Sequence, residues 1–176
     1  MKIKDKSFKV LINEEELQKK IASIAKQINK DYKGKSPLFI GILNGSFMFV
    51  ADMMKHVKLE SKVSFIKLSS YSNMSSSGSI KELIGINENV FKKDIIILED
   101  IIDTGLTMAS VTEEFKERGA SSVEIATMLL KPNSLQVELD IKYVGFEISD
   151  EFVVGYGLDY DGLGRNTRDI YQLKPS

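Results

Sequence analysis

Ile95-Ile96-Ile97-Leu98-Glu99-Asp100-Ile101-Ile102-Asp103-Thr104-Gly105-Leu106-Thr107 decides how this chain is read. Residues 94–98 carry four consecutive Ile and Leu side chains, a short apolar run that reads as a strand buried on both faces. Three carboxylates, Glu99, Asp100 and Asp103, lie within five residues where that strand ends. Carboxylates crowded in this way repel one another unless a cation, hydroxyl groups or solvent compensates. Asp-Thr-Gly-Leu-Thr comes next and leads into an amphipathic helix over 107–118, closed by Gly119. Gly105 permits a tight turn. The backbone N–H groups and the Thr104 and Thr107 hydroxyls can then enclose a phosphate at the positive end of the helix. Acceptors for a diol or a metal thus stand beside a phosphate cradle, the combination a sugar phosphate needs. An Asp-Thr-Gly alone would read as an ordinary helix cap with Glu99 and Asp100 merely solvated, but the length of the whole string argues against that.

Upstream, Asn13 with Glu16 three residues on is a capping-box pattern, and Leu17, Ile21, Ile24, Ala25 and Ile28 fall on one helical face. Residues 29–36 read as a polar turn, 37–43 as a buried strand, and 47–57 as a helix with Ser46 near its N-terminus. Strands are expected over 62–70 and 79–86, with a polar stretch between them. Downstream, 122–130, 144–148 and 152–156 read as strands. Strands alternating with helices imply an α/β fold, a largely parallel central sheet flanked by helices. Ligands of such sheets gather at the carboxyl ends of the strands, so the loops after Leu43, Leu98, Leu130 and Val154 are where chemistry is expected. A length of 176 residues fits a single domain, 1–176.

The absence of Cys excludes a disulfide scaffold, a Cys-ligated metal and a thiol nucleophile. A single His, His56, excludes a multi-His metal site and leaves a Ser-His-Asp triad only if His56 serves it. It falls in the expected second helix, where a structural or surface role is the simpler reading. Phe47, Met48, Phe49 and Met53 of that helix are expected in the core or in subunit contacts. With 24 basic and 25 acidic residues, the net charge of −1 argues against a general nucleic-acid binder or a membrane-surface protein. The balance hides an asymmetry: residues 1–67 hold 14 basic and 7 acidic side chains, residues 68–176 hold 10 and 18. No signal-peptide core opens the sequence, and the uncharged stretch 36–51 is too short to span a bilayer. A cytoplasmic location is expected.

The string from Ile97 to Thr107 resembles the signature of the phosphoribosyltransferases that use phosphoribosyl pyrophosphate, and the resemblance runs over roughly 10–165. It implies the type I phosphoribosyltransferase fold, with a core over about 10–150 and a small hood built from the N-terminal and C-terminal segments. By this resemblance Glu99 and Asp100 contact the ribose hydroxyls and Asp103 acts on the base as general acid/base. Asp103, Thr104, Gly105, Leu106 and Thr107 would hold the 5′-phosphate. Some members carry Lys where Leu106 stands, so here only the backbone donor is kept. Leu130-Lys131, Val144-Gly145-Phe146-Glu147-Ile148 and the segment from Phe152 to Tyr160 resemble the 6-oxopurine branch, the hypoxanthine-guanine phosphoribosyltransferases. A Lys only donates hydrogen bonds, so Lys131 would select an exocyclic carbonyl, while the Phe152 face would stack on the purine. The Val153 backbone and Asp159 would meet the purine edge. Asp159, with Glu99 and Asp100, is implied as a magnesium ligand, and Arg165 as a pyrophosphate contact. Leu43, Asn44 and Gly45 match the pyrophosphate loop, with Asn44 standing where many relatives have Lys. A cis Leu43–Asn44 peptide is also implied. Ser70-Tyr71 opens a stretch, about 70–80, that resembles the family's mobile loop.

The activity so implied is transfer of the 5-phosphoribosyl group to hypoxanthine or guanine with Mg2+, giving IMP or GMP and pyrophosphate. Small-molecule substrates are the implied partners, with no nucleic acid and no membrane, and assembly as a homodimer or homotetramer. Two rivals stay open: a xanthine- or pyrimidine-specific transferase, and a non-catalytic nucleotide-binding regulator on the same fold. The second would be expected to lose the carboxylate that Asp103 supplies. A dinucleotide-binding enzyme is excluded, because no G-x-G-x-x-G follows the first strand.

Overall fold

The computed structural model describes residues 1–69, 81–84 and 88–175. The chain opens with a hairpin, β1 (Lys2–Ile3) and β2 (Lys6–Ile12), followed by α1 (Glu14–Asp31), β3 (Leu38–Leu43), α2 (Phe47–His56), β4 (Lys62–Ser69) and β5 (Lys81–Ile84). Next come β6 (Asp94–Ile102), α3 (Leu106–Glu117), β7 (Ser122–Leu130), a 3-10 turn (Pro132–Ser134), β8 (Tyr143–Glu147), β9 (Val153–Val154) and β10 (Ile170–Leu173). One sheet has the order β5-β4-β3-β6-β7-β8, and its strands run parallel except β5, which is antiparallel to β4. The expected α/β class and largely parallel sheet therefore hold. A smaller antiparallel sheet, β1-β2-β10-β9, joins the two ends of the chain as a hood.

Period-two alternation explains why the central strands are apolar throughout. Phe39, Ile96 and Leu98 point to the face covered by Leu17 and Ile21 of α1 and by Phe49 and Met53 of α2. Their neighbours Leu38, Ile40, Ile95 and Ile97 point to the other face, against Val111 and Phe115 of α3. Each fully buried side chain of this size stabilises the fold by roughly 1.5–3 kcal/mol. The capping box forms as read: Asn13 Oδ1 accepts from the Glu16 N–H and Glu16 Oε2 accepts from the Asn13 N–H, both at 3.0 Å.

Several expectations need correction. The expected end of the central strand at Leu98 is wrong, because β6 runs to Ile102 and stays paired with β7 up to Ile102↔Leu130. Its pairing with β3 stops at Gly41↔Leu98. Glu99 and Asp100 are therefore strand residues at the point where β6 loses one neighbour. Helix α1 continues through Asp31, past the turn expected at 29, and closes with the Tyr32 N–H on the Ile28 carbonyl at 2.9 Å. Ser46 stands at the N-cap of α2, at its N-terminus as expected, and its hydroxyl donates back to the Ile42 carbonyl at 2.6 Å instead of accepting from a helix N–H. The strands read at 144–148 and 152–156 are Tyr143–Glu147 and Val153–Val154, the latter ended by positive φ at Gly155 and Tyr156. Of the strand expected over 79–86, the described part is β5, and Ser70 and Tyr71 lie outside the described residues. Among the described residues no helix is long and apolar enough to cross a membrane.

Candidate active site

Because β6 outruns β3, residues 99–102 have, among the described residues, a strand partner on one side only. Two backbone donors of this stretch bond the carboxylates: the Asp100 N–H donates to Glu99 Oε1 at 3.1 Å and the Ile101 N–H to Asp100 Oδ1 at 2.9 Å. Glu99 is buried and Asp100 half-buried. Burial pushes the Glu99 carboxyl well above the usual carboxylate range, and the adjacent Asp100 carboxyl adds to this, against the opposing effect of the Asp100 backbone N–H. A cation or a pair of hydroxyls would relieve that repulsion.

Gly45, in the loop after β3, lies against this pair. A β-carbon at position 45 would overlap the Asp100 carboxylate, and one on Gly157 would overlap the Gly45 carbonyl. The loop after β3, strand β6 and the turn after β9 therefore touch at positions that admit no side chain. The Leu43–Asn44 peptide leading into Gly45 is cis.

Asp103, Thr104 and Gly105 turn β6 into α3. Gly105 adopts φ +79°, a left-handed conformation that favours glycine, and no side chain caps the helix, so its first N–H groups are open to a ligand. Glu99, Ile101, Ile102, Asp103, Thr104, Gly105, Thr107 and Met108 line a pocket of about 230 Å³. The Leu106 side chain is exposed and outside that lining.

Lys131 follows β7 and is held by its own N–H on the Ile102 carbonyl at 3.0 Å. Its buried ammonium meets the half-exposed Asp103 carboxylate at 3.1 Å. The chain beyond it doubles back under the turn at 103–105, with the Gln136 N–H on the Thr104 carbonyl at 2.9 Å and Leu135 and Val137 packed beside Gly105. Val153 lies on β9, the edge strand of the hood, so among the described residues one side of its backbone has no strand partner. Phe152 precedes it with its ring partly exposed.

Asp159, implied together with Glu99 and Asp100 as a magnesium ligand, is engaged by other partners. Asp159 Oδ1 meets Arg165 Nη2 at 2.5 Å and Oδ2 accepts the Gly162 N–H at 2.7 Å. Arg165 also donates to the Gly157 carbonyl at 2.7 Å, so this ion pair fixes the turn that touches Gly45. Among the described residues no group of three or more His, Cys, Asp or Glu is placed to hold a metal. Magnesium needs only one or two carboxylates when phosphate oxygens and water complete its shell, and Glu99 with Asp100 fits that demand. His56 ends α2 and takes no part in the pocket.

Reading the sequence missed three supporting residues, Tyr156, Asp52 and Gln18. The Tyr156 hydroxyl donates to Asp52 Oδ2 at 2.7 Å, and Gln18 Nε2 donates to the same oxygen at 2.7 Å. These bonds tie the turn after β9 to α1 and α2. A tyrosine between Gly155 and Gly157 was the available signal, since all three take positive φ.

The phosphoribosyl transferase domain profile matches residues 11–161. The chain is 43% identical over 169 residues to the hypoxanthine-guanine phosphoribosyltransferase of Bacillus subtilis (strain 168), covering 96% of this chain and 94% of that one. The crystal structure of a hypoxanthine-guanine phosphoribosyltransferase (hpt-2) from Bacillus anthracis aligns with a TM-score of 0.91 at 39% identity, covering 96% of this chain and 100% of that one. A Trypanosoma cruzi hypoxanthine phosphoribosyl transferase aligns with a TM-score of 0.91 at 33% identity, covering 99% and 95%. With this coverage, the chain belongs to the phosphoribosyl transferase domain family.

Proposed function

We propose that the chain is a purine salvage enzyme that transfers the 5-phosphoribosyl group from phosphoribosyl pyrophosphate to hypoxanthine, and to guanine, releasing pyrophosphate with IMP or GMP. One observation carries the reading: Asp103 lines the phosphate pocket and also meets Lys131 at 3.1 Å. A single carboxylate thus stands between a cradle for a sugar phosphate and a buried donor for a base carbonyl. The names of the full-length relatives support the same substrate class.

In the proposed reaction the bond from the anomeric carbon to pyrophosphate oxygen breaks as a purine nitrogen bonds to that carbon, with inversion through an oxocarbenium-like state. Asp103 accepts the imidazole proton. Lys131 donates to the purine carbonyl, Phe152 stacks on the ring, and the Val153 backbone and Asp159 border its edge. Residues 103–107 hold the 5′-phosphate, while Glu99 and Asp100 accept from the ribose hydroxyls. The Leu43-Asn44-Gly45 loop and Arg165 face pyrophosphate. Positioning and fixed charge are the protein's main contributions. Magnesium, held by Glu99, Asp100 and substrate oxygens, would supply neutralisation of the leaving pyrophosphate. Assembly as two or four copies and a cytoplasmic location complete the proposal; a chain without Cys asks nothing of an oxidising compartment.

Pyrophosphate release, measured with each purine and pyrimidine base with and without magnesium, tests this. Hypoxanthine and guanine should react only with the metal present. Asp103→Asn should lower kcat by about a hundredfold or more, with phosphoribosyl pyrophosphate affinity much less changed. Turnover of uracil or orotate alone would reassign the substrate, and no release with any base would favour the regulator.

A further inference from the structure

Three consecutive residues of the N-terminal hairpin grip the segment behind Phe152. Lys4 forms an ion pair with Asp161, and Asp5 Oδ1 accepts the Tyr160 hydroxyl at 3.0 Å. Lys6 Nζ then stands over two rings at once, 4.6 Å from the Tyr160 centroid and 5.3 Å from the Phe152 centroid. Tyr160 meets Phe152 edge to face at 5.8 Å, and buried Phe8 lies 6.3 Å from Phe152 and 6.4 Å from Tyr160. Phe152 thus has Lys6, Phe8 and Tyr160 around it and still leaves 42% of its surface exposed.

We propose that Lys6 is a positioning residue for nucleobase binding. It holds Phe152, together with Tyr160, in the orientation that presents the free part of the ring to a planar base. The inference rests on the reading that Phe152 stacks on the purine. A cation over an aromatic face restrains the ring without touching the substrate, and preorganising a stacking surface lowers the ordering cost of binding. Lys6 therefore acts on the base alone, since the phosphate pocket is lined by other residues.

Steady-state kinetics on four proteins test this: wild type, Lys6→Met, Lys6→Arg and Phe152→Leu. Lys6→Met keeps the apolar stem and removes the charge, so it should raise the KM for hypoxanthine about three- to fivefold. Its kcat and its KM for phosphoribosyl pyrophosphate should stay within about twofold, the signature of lost base binding rather than lost chemistry. Lys6→Arg, whose guanidinium also stacks on rings, should restore the hypoxanthine KM. If Phe152→Leu raises that KM and Lys6→Met does not, the positioning role is wrong while the stacking reading stands. If neither variant changes it, the stacking reading fails and the positioning role with it. A parallel change in both KM values and kcat with a lowered Tm would mark Lys6 as merely structural and overturn the proposal.

Discussion

Lys131 and Asp103, 28 residues apart in sequence, meet through Nζ and Oδ2 at 3.1 Å. The lysine is almost wholly buried and the aspartate half open to solvent, so the pair presents its acid outward and keeps its donor inside. Lys131→Met keeps the volume and removes the donor. Hydrogen bonds to charged groups contribute roughly 1.5–3 kcal/mol, so kcat/KM for hypoxanthine should fall about ten- to a hundredfold. The KM for phosphoribosyl pyrophosphate should change little, which initial-rate kinetics with each substrate varied would show.

Gly45 should tolerate no side chain. A methyl group there would overlap the Asp100 carboxylate, and the opposite wall, Gly157, is already against the Gly45 carbonyl. Gly45→Ala must displace the loop from β6. A displacement near 1 Å at a catalytic constellation can cost about a hundredfold in rate, and a loss of that size in kcat/KM is expected. Serine at position 45 should be at least as damaging, and thermal melts should show that the central sheet survives in both.

These contacts mark the boundary of what the amino-acid sequence discloses. The capping box at Asn13 and the apolar runs of β3, β6 and β7 were legible because each is decided by residues close in sequence. The hood was not legible strand by strand. β2 is lysine-rich and finds its partner in β10, where Phe8 pairs with Leu173, so its strand character depends on a distant segment. The continuation of β6 to Ile102 was hidden for a similar reason: Glu99 and Asp100 look like loop residues until β7 is seen running alongside. The site string could be placed on one turn, yet the sequence could not show Lys131 arriving at Asp103 or Lys6 covering Phe152.

Asp52 links the hood to the core and sets an acid limit on stability. Burial would raise its pKa, but hydrogen bonds from Lys55, Tyr156 and Gln18 outweigh this and hold the carboxyl below its ordinary 3.8. A depressed folded-state pKa contributes stability that is fully present above 3.8 and is lost as pH falls through the folded value. Denaturant unfolding from neutral to acid pH should therefore show a decline below that point which Asp52→Asn flattens. Tyr156→Phe removes one donor and should cost about 1 kcal/mol at neutral pH.

Gly105 packs the turn before α3 against Leu135 and Val137 of the segment that follows Lys131, and on the proposed roles its substitution should separate the two substrates. The residue takes φ +79°, and a β-carbon would stand 3.0 Å from a Leu135 methyl and 3.2 Å from one of Val137. Alanine in the left-handed region costs about 1–2 kcal/mol, and the close contacts add to it. Relaxation would draw Thr104 and the open end of α3 away from the phosphate, because the Gln136 N–H holds the Thr104 carbonyl to the same segment. Gly105→Ala is expected to raise the KM for phosphoribosyl pyrophosphate about tenfold, with a smaller effect on hypoxanthine, since Lys131 is anchored separately on Ile102. Equal losses for both substrates would mean that the segment 131–137 moves as a unit with the phosphate turn. Shortening Leu135 to Ala in the Gly105→Ala background should then restore part of the lost affinity by making room for the new methyl group.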